Sequence, residues 1–201
     1  MRRASGPGRC PFCAAEWNGS GNCPRCFHMH QLEGVRAAFE MSGTARRLVH
    51  ALKYSGYRAL APAMGALMHD LNARLDVHRY FPIPLHRARM KERGFNQSEL
   101  LLHSAGWSPA GEGLARIRKT ERQVGRHLGE RRMNMAGAFS YRGPRLDGLA
   151  VALVDDVVTT GATVAECAVV LKDAGARSVW ALAFARASYH PELGPEEPTE
   201  D

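Results

Sequence analysis

The chain has no apolar run near the roughly 18 residues needed to cross a bilayer. Its basic start, MRRASGPGRC, leads into no hydrophobic leader segment. A cytoplasmic protein without membrane insertion is expected. There is no Gly-Lys-Ser/Thr of a Walker loop and no G-x-G-x-x-G, which excludes two common glycine-rich nucleotide cradles. No internal repeat is present, and none of the nine histidines stands in a metal-binding or triad pattern. Acidic residues are the scarcer charge, 20 against 27 Lys and Arg, and five of them lie in the terminal SYHPELGPEEPTED, which contains no Lys or Arg. The body is therefore more basic than the net charge of +7 implies.

Two segments concentrate the positive charge. HRARMKER (86–93) has four bases and one acid, and RIRKTERQVGRHLGERR (116–132) has seven bases and two acids. Such density at two places suits a polyanion, either a polyphosphate ligand or a nucleic acid. A solvated charged face is the alternative for either segment alone.

The 201 residues, 45% hydrophobic, suffice for one domain with a small appendage. Residues 1–32 read as a cysteine module, 33–187 as the main domain and 188–201 as an acidic, disordered tail. Within 33–187, strands are expected at 35–43, 79–83, 113–117, 149–154 and 178–184. Helices are expected at 44–54, 58–75, 95–105 and 162–174, with Leu60, Met64, Leu67, Met68 and Leu71 on one face of the second. Alternating strands and helices imply an α/β fold, a mainly parallel sheet flanked by helices. Cys167 falls at helical spacing with Val164, Ala168 and Leu171, which implies burial rather than reactivity.

Cys10, Cys13, Cys23 and Cys26 form two Cys-x-x-Cys turns separated by nine residues. Four thiolates so spaced can surround a structural zinc ion, with iron or disulfides as alternatives. Metal coordination offsets the backbone entropy, roughly 1–2 kcal/mol per residue, that so short a segment cannot recover by burial. Four thiolates leave no open coordination position, so the metal is structural.

VALVDDVVTTGAT (151–163) carries the chemistry. Its first four residues read as a strand buried on both faces, with Asp155 and Asp156 at the carboxyl end, where open α/β sheets bind ligands. Thr159, Thr160, Gly161, Ala162 and Thr163 form the turn opening the next helix, whose unpaired N–H groups and dipole suit a phosphate monoester. Two adjacent carboxylates cannot touch the same phosphate. They suit sugar hydroxyls or water on a divalent cation, which relieves their repulsion. A ribose 5-phosphate has this layout; a plain helix cap beside a hydrated acidic loop is the other reading.

These residues resemble the phosphoribosyl pyrophosphate (PRPP) motif of type I phosphoribosyltransferases. Together with CPFC and CPRC, LKYSGYRAL, PIPLHRARMKERGFNQSELL and RIRKTERQVGRHLGERRMNMAGAF, they resemble the ComF family, the competence-linked ComFC and GntX proteins. The resemblance covers all but the acidic tail. It implies a type I phosphoribosyltransferase fold with a small N-terminal four-cysteine zinc ribbon. Asp155 and Asp156 would bind the ribose hydroxyls of PRPP and Thr159 to Thr163 its 5-phosphate. Leu85, His86, Arg87 and Arg89 would bind the pyrophosphate, and Arg118 and Lys119 would belong to a mobile catalytic loop reaching Gln123. Mg²⁺ would accompany PRPP in transfer of the phosphoribosyl group to an acceptor that carries no signature here. The same resemblance admits a non-catalytic protein of natural transformation that binds single-stranded DNA, senses PRPP or meets other competence proteins.

Overall fold

A computed structural model describes Gly8, Cys10, Phe12, Cys23, Cys26 and residues 29–111, 113–118 and 136–187. Four parallel strands make the main sheet: β1 (Gly34–Glu40), β2 (Arg79–Pro82), β5 (Ala150–Val158) and β6 (Ser178–Arg186), in the order β1-β6-β5-β2. One row across it, Phe81, Leu153, Ala181 and Val35, is buried throughout. β5 and β6 are interior strands and read as near-continuous apolar runs because helices cover both faces. β3 (Leu114–Arg116) and β4 (Phe139–Tyr141) form a separate antiparallel pair. The α/β class and the parallel sheet flanked by helices agree with the sequence expectation.

One face of the sheet carries α1 (Gly43–Tyr54), α2 (Ala61–Ala66) and α4 (Gln97–Ser104). Val49, Leu52, Met64, Met68, Leu101 and Leu102 pack there on Ala152, Val154, Leu182 and Phe184. α5 (Ala162–Asp173), the β3–β4 pair and the three described N-terminal cysteines belong to the other core, with Val151, Leu153, Val179 and Ala181. Neighbouring strands β2 and β5 therefore send their following chain to opposite faces. Such a switch point leaves a crevice at the carboxyl ends of the strands. Among the described residues no helix is long and apolar enough to cross a membrane.

Four local expectations are corrected. The stretch 58–75 is not one helix: α2 is flanked by 3-10 turns at Arg58–Leu60 and His69–Asn72. Bonds from Met68 N to Gly65 O and from Leu71 N to Met68 O tighten the chain and turn Leu67 outward, 50% exposed, while Met64 and Met68 stay buried. The first strand ends at Glu40, and α1 begins at Gly43. Residues 87–93, to which the sequence reading assigns no element, form a short helix, α3 (Arg87–Arg93), which His86 opens by accepting from Ala88 N at 3.2 Å and Gly94 closes at φ 73°. Finally, β5 runs to Val158, so Asp155 and Asp156 lie inside the strand rather than after it.

Candidate functional site

β2 pairs with β5 only as far as Pro82 against Val154. Beyond that point β5 continues alongside β6, with Asp155 beside Ala183 and Val157 beside Ala185. The two aspartates thus occupy the first strand positions past the end of β2, at the switch point. Adjacent strand residues project to opposite sides, and the two carboxylates meet different partners. Asp156 turns to α1, where Lys53 Nζ lies 3.0 Å from its Oδ1. Asp155 Oδ1 accepts from Ser98 Oγ and from the Asp156 backbone N–H, each at 2.9 Å. Lys53 and Ser98 have no role in the sequence reading. Lys53 lies in the LKYSGYRAL motif and Ser98 in the first turn of α4, but no local pattern ties either to residues so far along the chain.

The pair is electrostatically uneven. Burial first, and then the Asp156 charge, pushes Asp155 up to about 7, against the pull of Lys53 and the bonds from Ser98 and Asp156. Asp156 is only 4% exposed, and its Oδ2 has no hydrogen-bond partner. A buried carboxylate oxygen left unpaired is costly, of order 1–3 kcal/mol or more for a charged group. It therefore marks a place for a donor: a sugar hydroxyl or a water held by a hard cation.

The chain then turns through exposed Thr159 and half-buried Thr160 to Gly161, which precedes α5 with φ 79°. Ala162 N donates to Thr160 Oγ1 at 3.4 Å. Gly161 itself offers α5 no side-chain cap, and a helix N-terminus of this kind suits an anion. Gly161 is required for a second reason. A Cβ there would sit 2.2 Å from Met29 Sδ, so the turn is pressed against the N-terminal segment.

The remaining predicted residues fall around the same end of the sheet. Leu85 and His86 follow β2, with Arg87 exposed and Arg89 half-buried on α3. Arg89 and Asp155 are both within electrostatic reach of Arg116 on β3, a guanidinium lowered by burial and by Arg89 while Cys167 and Asp155 oppose that shift. Arg116 also lies over the Phe139 ring at 5.5 Å. The sequence places it in a basic segment without a site role; only the β3–β4 pairing shows that it faces inward. Arg118, predicted for a mobile loop, donates to Ala136 O at 2.6 Å, and Gly137 N donates to Glu166 Oε1 at 2.5 Å. The residues on either side of 119–135 thus meet at one place beside α5. Lys119 and Gln123 lie outside the described residues. Cys167 is fully buried, and burial pushes its thiol well up, so it is inert.

Cys10, Cys23 and Cys26 are buried with their sulfurs within 4.8 Å of one another. Cys10 and Cys26 Sγ are 3.4 Å apart, too far for a disulfide. Thiolates sharing a tetrahedral zinc at about 2.3 Å stand about 3.8 Å apart, so the three residues fit a metal ion. Phe12 N donates to Cys10 Sγ at 3.4 Å. Cys13, the fourth predicted ligand, lies outside the described residues.

Comparison with known proteins gives a family-level similarity. The chain is 37% identical over 148 residues to the DNA utilization protein YhgH of Salmonella typhimurium, covering 67% of this chain and 65% of that one. It is 34% identical over 112 residues to competence protein F of Haemophilus influenzae, covering 53% and 49%. It is 28% identical over 185 residues to competence protein ComFC of Streptococcus pneumoniae, covering 84% and 82%. The match to the first of these spans just under two thirds of the relative's length. No family model matches the chain.

Proposed function

We propose that this chain is a member of the ComF family and a phosphoribosyltransferase-like protein that binds PRPP at the carboxyl end of β5. In this reading residues 1–32 form a four-cysteine zinc ribbon, 33–187 a domain of type I phosphoribosyltransferase fold, and 188–201 an appended tail. The unpaired, buried Oδ2 of Asp156 carries the proposal. It is a strong acceptor without a donor, beside a helix N-terminus that suits a phosphate, and a ribose 5-phosphate offers both complements at once. Support also comes from the relatives, which are named for competence and DNA utilization.

The division of labour follows from the chemistry of each group. Asp155 and Asp156 accept from the ribose hydroxyls, with Lys53 and Ser98 holding the two carboxylates apart. The first-turn amides of α5 and the Thr159, Thr160 and Thr163 hydroxyls bind the 5-phosphate. Leu85 and His86 offer backbone groups, and Arg87, Arg89 and Arg116 positive charge, where pyrophosphate departs from the anomeric carbon. Mg²⁺, when bound with PRPP, neutralises charge on the departing polyanion. Arg118 and Lys119 are the proposed catalytic-loop residues that exclude water as the segment closes. The acceptor takes the sugar in exchange for pyrophosphate.

Isothermal titration of PRPP with and without Mg²⁺ tests the reading. Binding should require the cation, and Asp156→Asn should weaken it on the order of tenfold or more, because a charge-assisted bond is worth roughly 1.5–3 kcal/mol. Unchanged affinity in a folded Asp156→Asn protein would place the ligand elsewhere. Pyrophosphate release screened against bases, amines and nucleic acids then separates turnover from binding alone.

A further inference from the structure

The chain enters α4 through three buried polar residues, Asn96, Gln97 and Ser98. Two of them hold the crevice together. Asn96 caps the helix, its Oδ1 accepting from Ser98 N at 3.0 Å, and its Nδ2 donates to Ile83 O just past β2, also at 3.0 Å. Ser98 Oγ donates to Asp155. Gln97 is different: it is 1% exposed, and only its oxygen is engaged. Arg93 Nη1, in the last turn of α3, donates to Gln97 Oε1 at 3.1 Å, while Nε2 has no hydrogen-bond partner. A guanidinium offers no acceptor, so the oxygen must face Arg93 and the amide N–H groups point elsewhere. A buried donor left unpaired is as costly as a buried acceptor left so.

The packing of α4 places that donor. Leu101, one helical turn after Gln97 on the same face, belongs to the core group of Ala152 and Val154 on β5. α4 starts at the carboxyl end of the sheet, where Ser98 meets Asp155, so Gln97 lies one turn nearer that end than Leu101. Along β5 a similar step, about 6–7 Å, leads from Val154 to Asp156, which shares its side of the strand. The unpartnered amide and the unpartnered Asp156 Oδ2 thus belong to one corner of the fold. The end of α1 borders it, with Lys53 Nζ on Asp156 and the Tyr54 ring 5.2 Å from the Arg93 guanidinium.

We propose that Gln97 is a specificity-determining residue of the sugar site: its amide donates to the ribose hydroxyl that itself donates to Asp156 Oδ2, so the site selects ribose over deoxyribose. The inference rests on the PRPP reading and deepens it. A hydroxyl accepts and donates at once, as this pair of groups requires. A phosphate oxygen would repel Asp156, and a methylene would leave both groups unpaired. A site made to hydrogen-bond a hydroxyl rejects the analogue lacking it far more strongly than an apolar pocket rejects an added one. Because Arg93 already holds the Gln97 oxygen, the amide is oriented before the sugar arrives, which lowers the ordering cost of binding.

The test is calorimetric titration of the full chain with ribose 5-phosphate, 2-deoxyribose 5-phosphate and 3-deoxyribose 5-phosphate. One of the deoxy sugars lacks the shared hydroxyl, and the parent should bind it at least about tenfold more weakly than ribose 5-phosphate. Gln97→Met, close in volume, should weaken ribose 5-phosphate at least about fivefold and leave the affinity for that deoxy sugar unchanged. The ratio for the other deoxy sugar, which keeps the shared hydroxyl, should stay at its parent value. Gln97→Glu keeps an oxygen for Arg93 but loses the N–H donors, and it should lower the same single ratio. Each ratio is measured within one protein, so a partly unfolded preparation does not alter it. Parent-like ratios in both variants would overturn the proposal. So would a parent-like ratio in Gln97→Glu alone, which would mean that Gln97 acts only by holding Arg93. Equal weakening of all three sugars would make Gln97 a structural residue and overturn it as well, and each of these results leaves the PRPP reading standing. A parent that binds neither PRPP nor ribose 5-phosphate would overturn that reading and this inference together.

Discussion

Asp155 and Asp156 are neighbours in sequence but do different things in the fold. Lys53 keeps Asp156 company at 3.0 Å, while Asp155 is pushed up to about 7 by burial and by the charge next to it. Between its unfolded value near 3.8 and about 7, the folded protein holds a proton on Asp155 that the unfolded chain releases. Stability contributed by that proton is present at low pH and is lost as pH rises through this window. Asp155→Asn keeps an acceptor for Ser98 Oγ and removes the charge. In ligand-free, chelator-treated protein the variant should melt above the parent at about pH 8, with the gap closing towards about pH 5; each kcal/mol corresponds to about 2–4 °C in a domain this large. Melting curves for the two proteins across pH decide it, and a variant that melts below the parent at pH 8 would show that Asp155 is ionised at no cost. The doubled acid itself is legible in the sequence, because two adjacent like charges stand out in an otherwise apolar stretch. Lys53 and Ser98 are not legible, because a strand's partners across the sheet depend on which helices lie beside its end.

The elements meet most closely where α5 begins. Met29 is 2% exposed, and its sulfur occupies the space a Gly161 side chain would need. Its N–H is bonded to Cys26 O at 2.8 Å, so a direct line of packing joins the cysteine cluster to the turn assigned to the phosphate. The parallel sheet, α1, α4 and α5 are readable from hydrophobic periodicity, and so is the glycine of this turn. The partner that makes Gly161 necessary is not, since Met29 belongs to a segment whose pattern speaks only of its cysteines. For the same reason the periodicity over 58–75 suggests one helix where the fold has three short pieces. Gly65 packs where a Cβ would lie 2.3 Å from Ser104 Cβ, and that close approach of α2 to α4, not the apolar stripe, governs the local geometry. Met29→Ala should leave the chain folded and weaken ribose 5-phosphate binding several-fold, because the turn loses its support and must be ordered by the ligand. Met29→Leu, of similar volume, should restore most of it. Calorimetric titration of the three proteins measures this; equal affinity in Met29→Ala would mean that the turn is held without the N-terminal segment.

On the scale of the whole molecule the cysteine cluster is continuous with the sheet's core. Cys10, Cys23 and Cys26 share one buried group with Leu32, Val35, Val158 and Ala162, although the sequence reading sets residues 1–32 apart as their own module. A metal bound only by the folded protein stabilises it by mass action, about 2.7 kcal/mol when free metal is a hundredfold above its dissociation constant. If that core folds as a unit, the stabilisation is felt by the sheet and not only by the knuckle. Purified protein should therefore contain one zinc per chain by elemental analysis, and chelation should lower the single melting transition of the entire protein. A separate early transition confined to the N-terminus, with the main transition unmoved, would show that residues 1–32 fold independently of the body. Because Met29 bridges the cluster and the α5 turn, the same chelation should also reduce ribose 5-phosphate affinity below the melting range, to about the level of Met29→Ala. Zinc added back should restore both the melting temperature and the affinity together. Restoration of only the first would mean that the metal stabilises the core without setting the geometry of the phosphate turn.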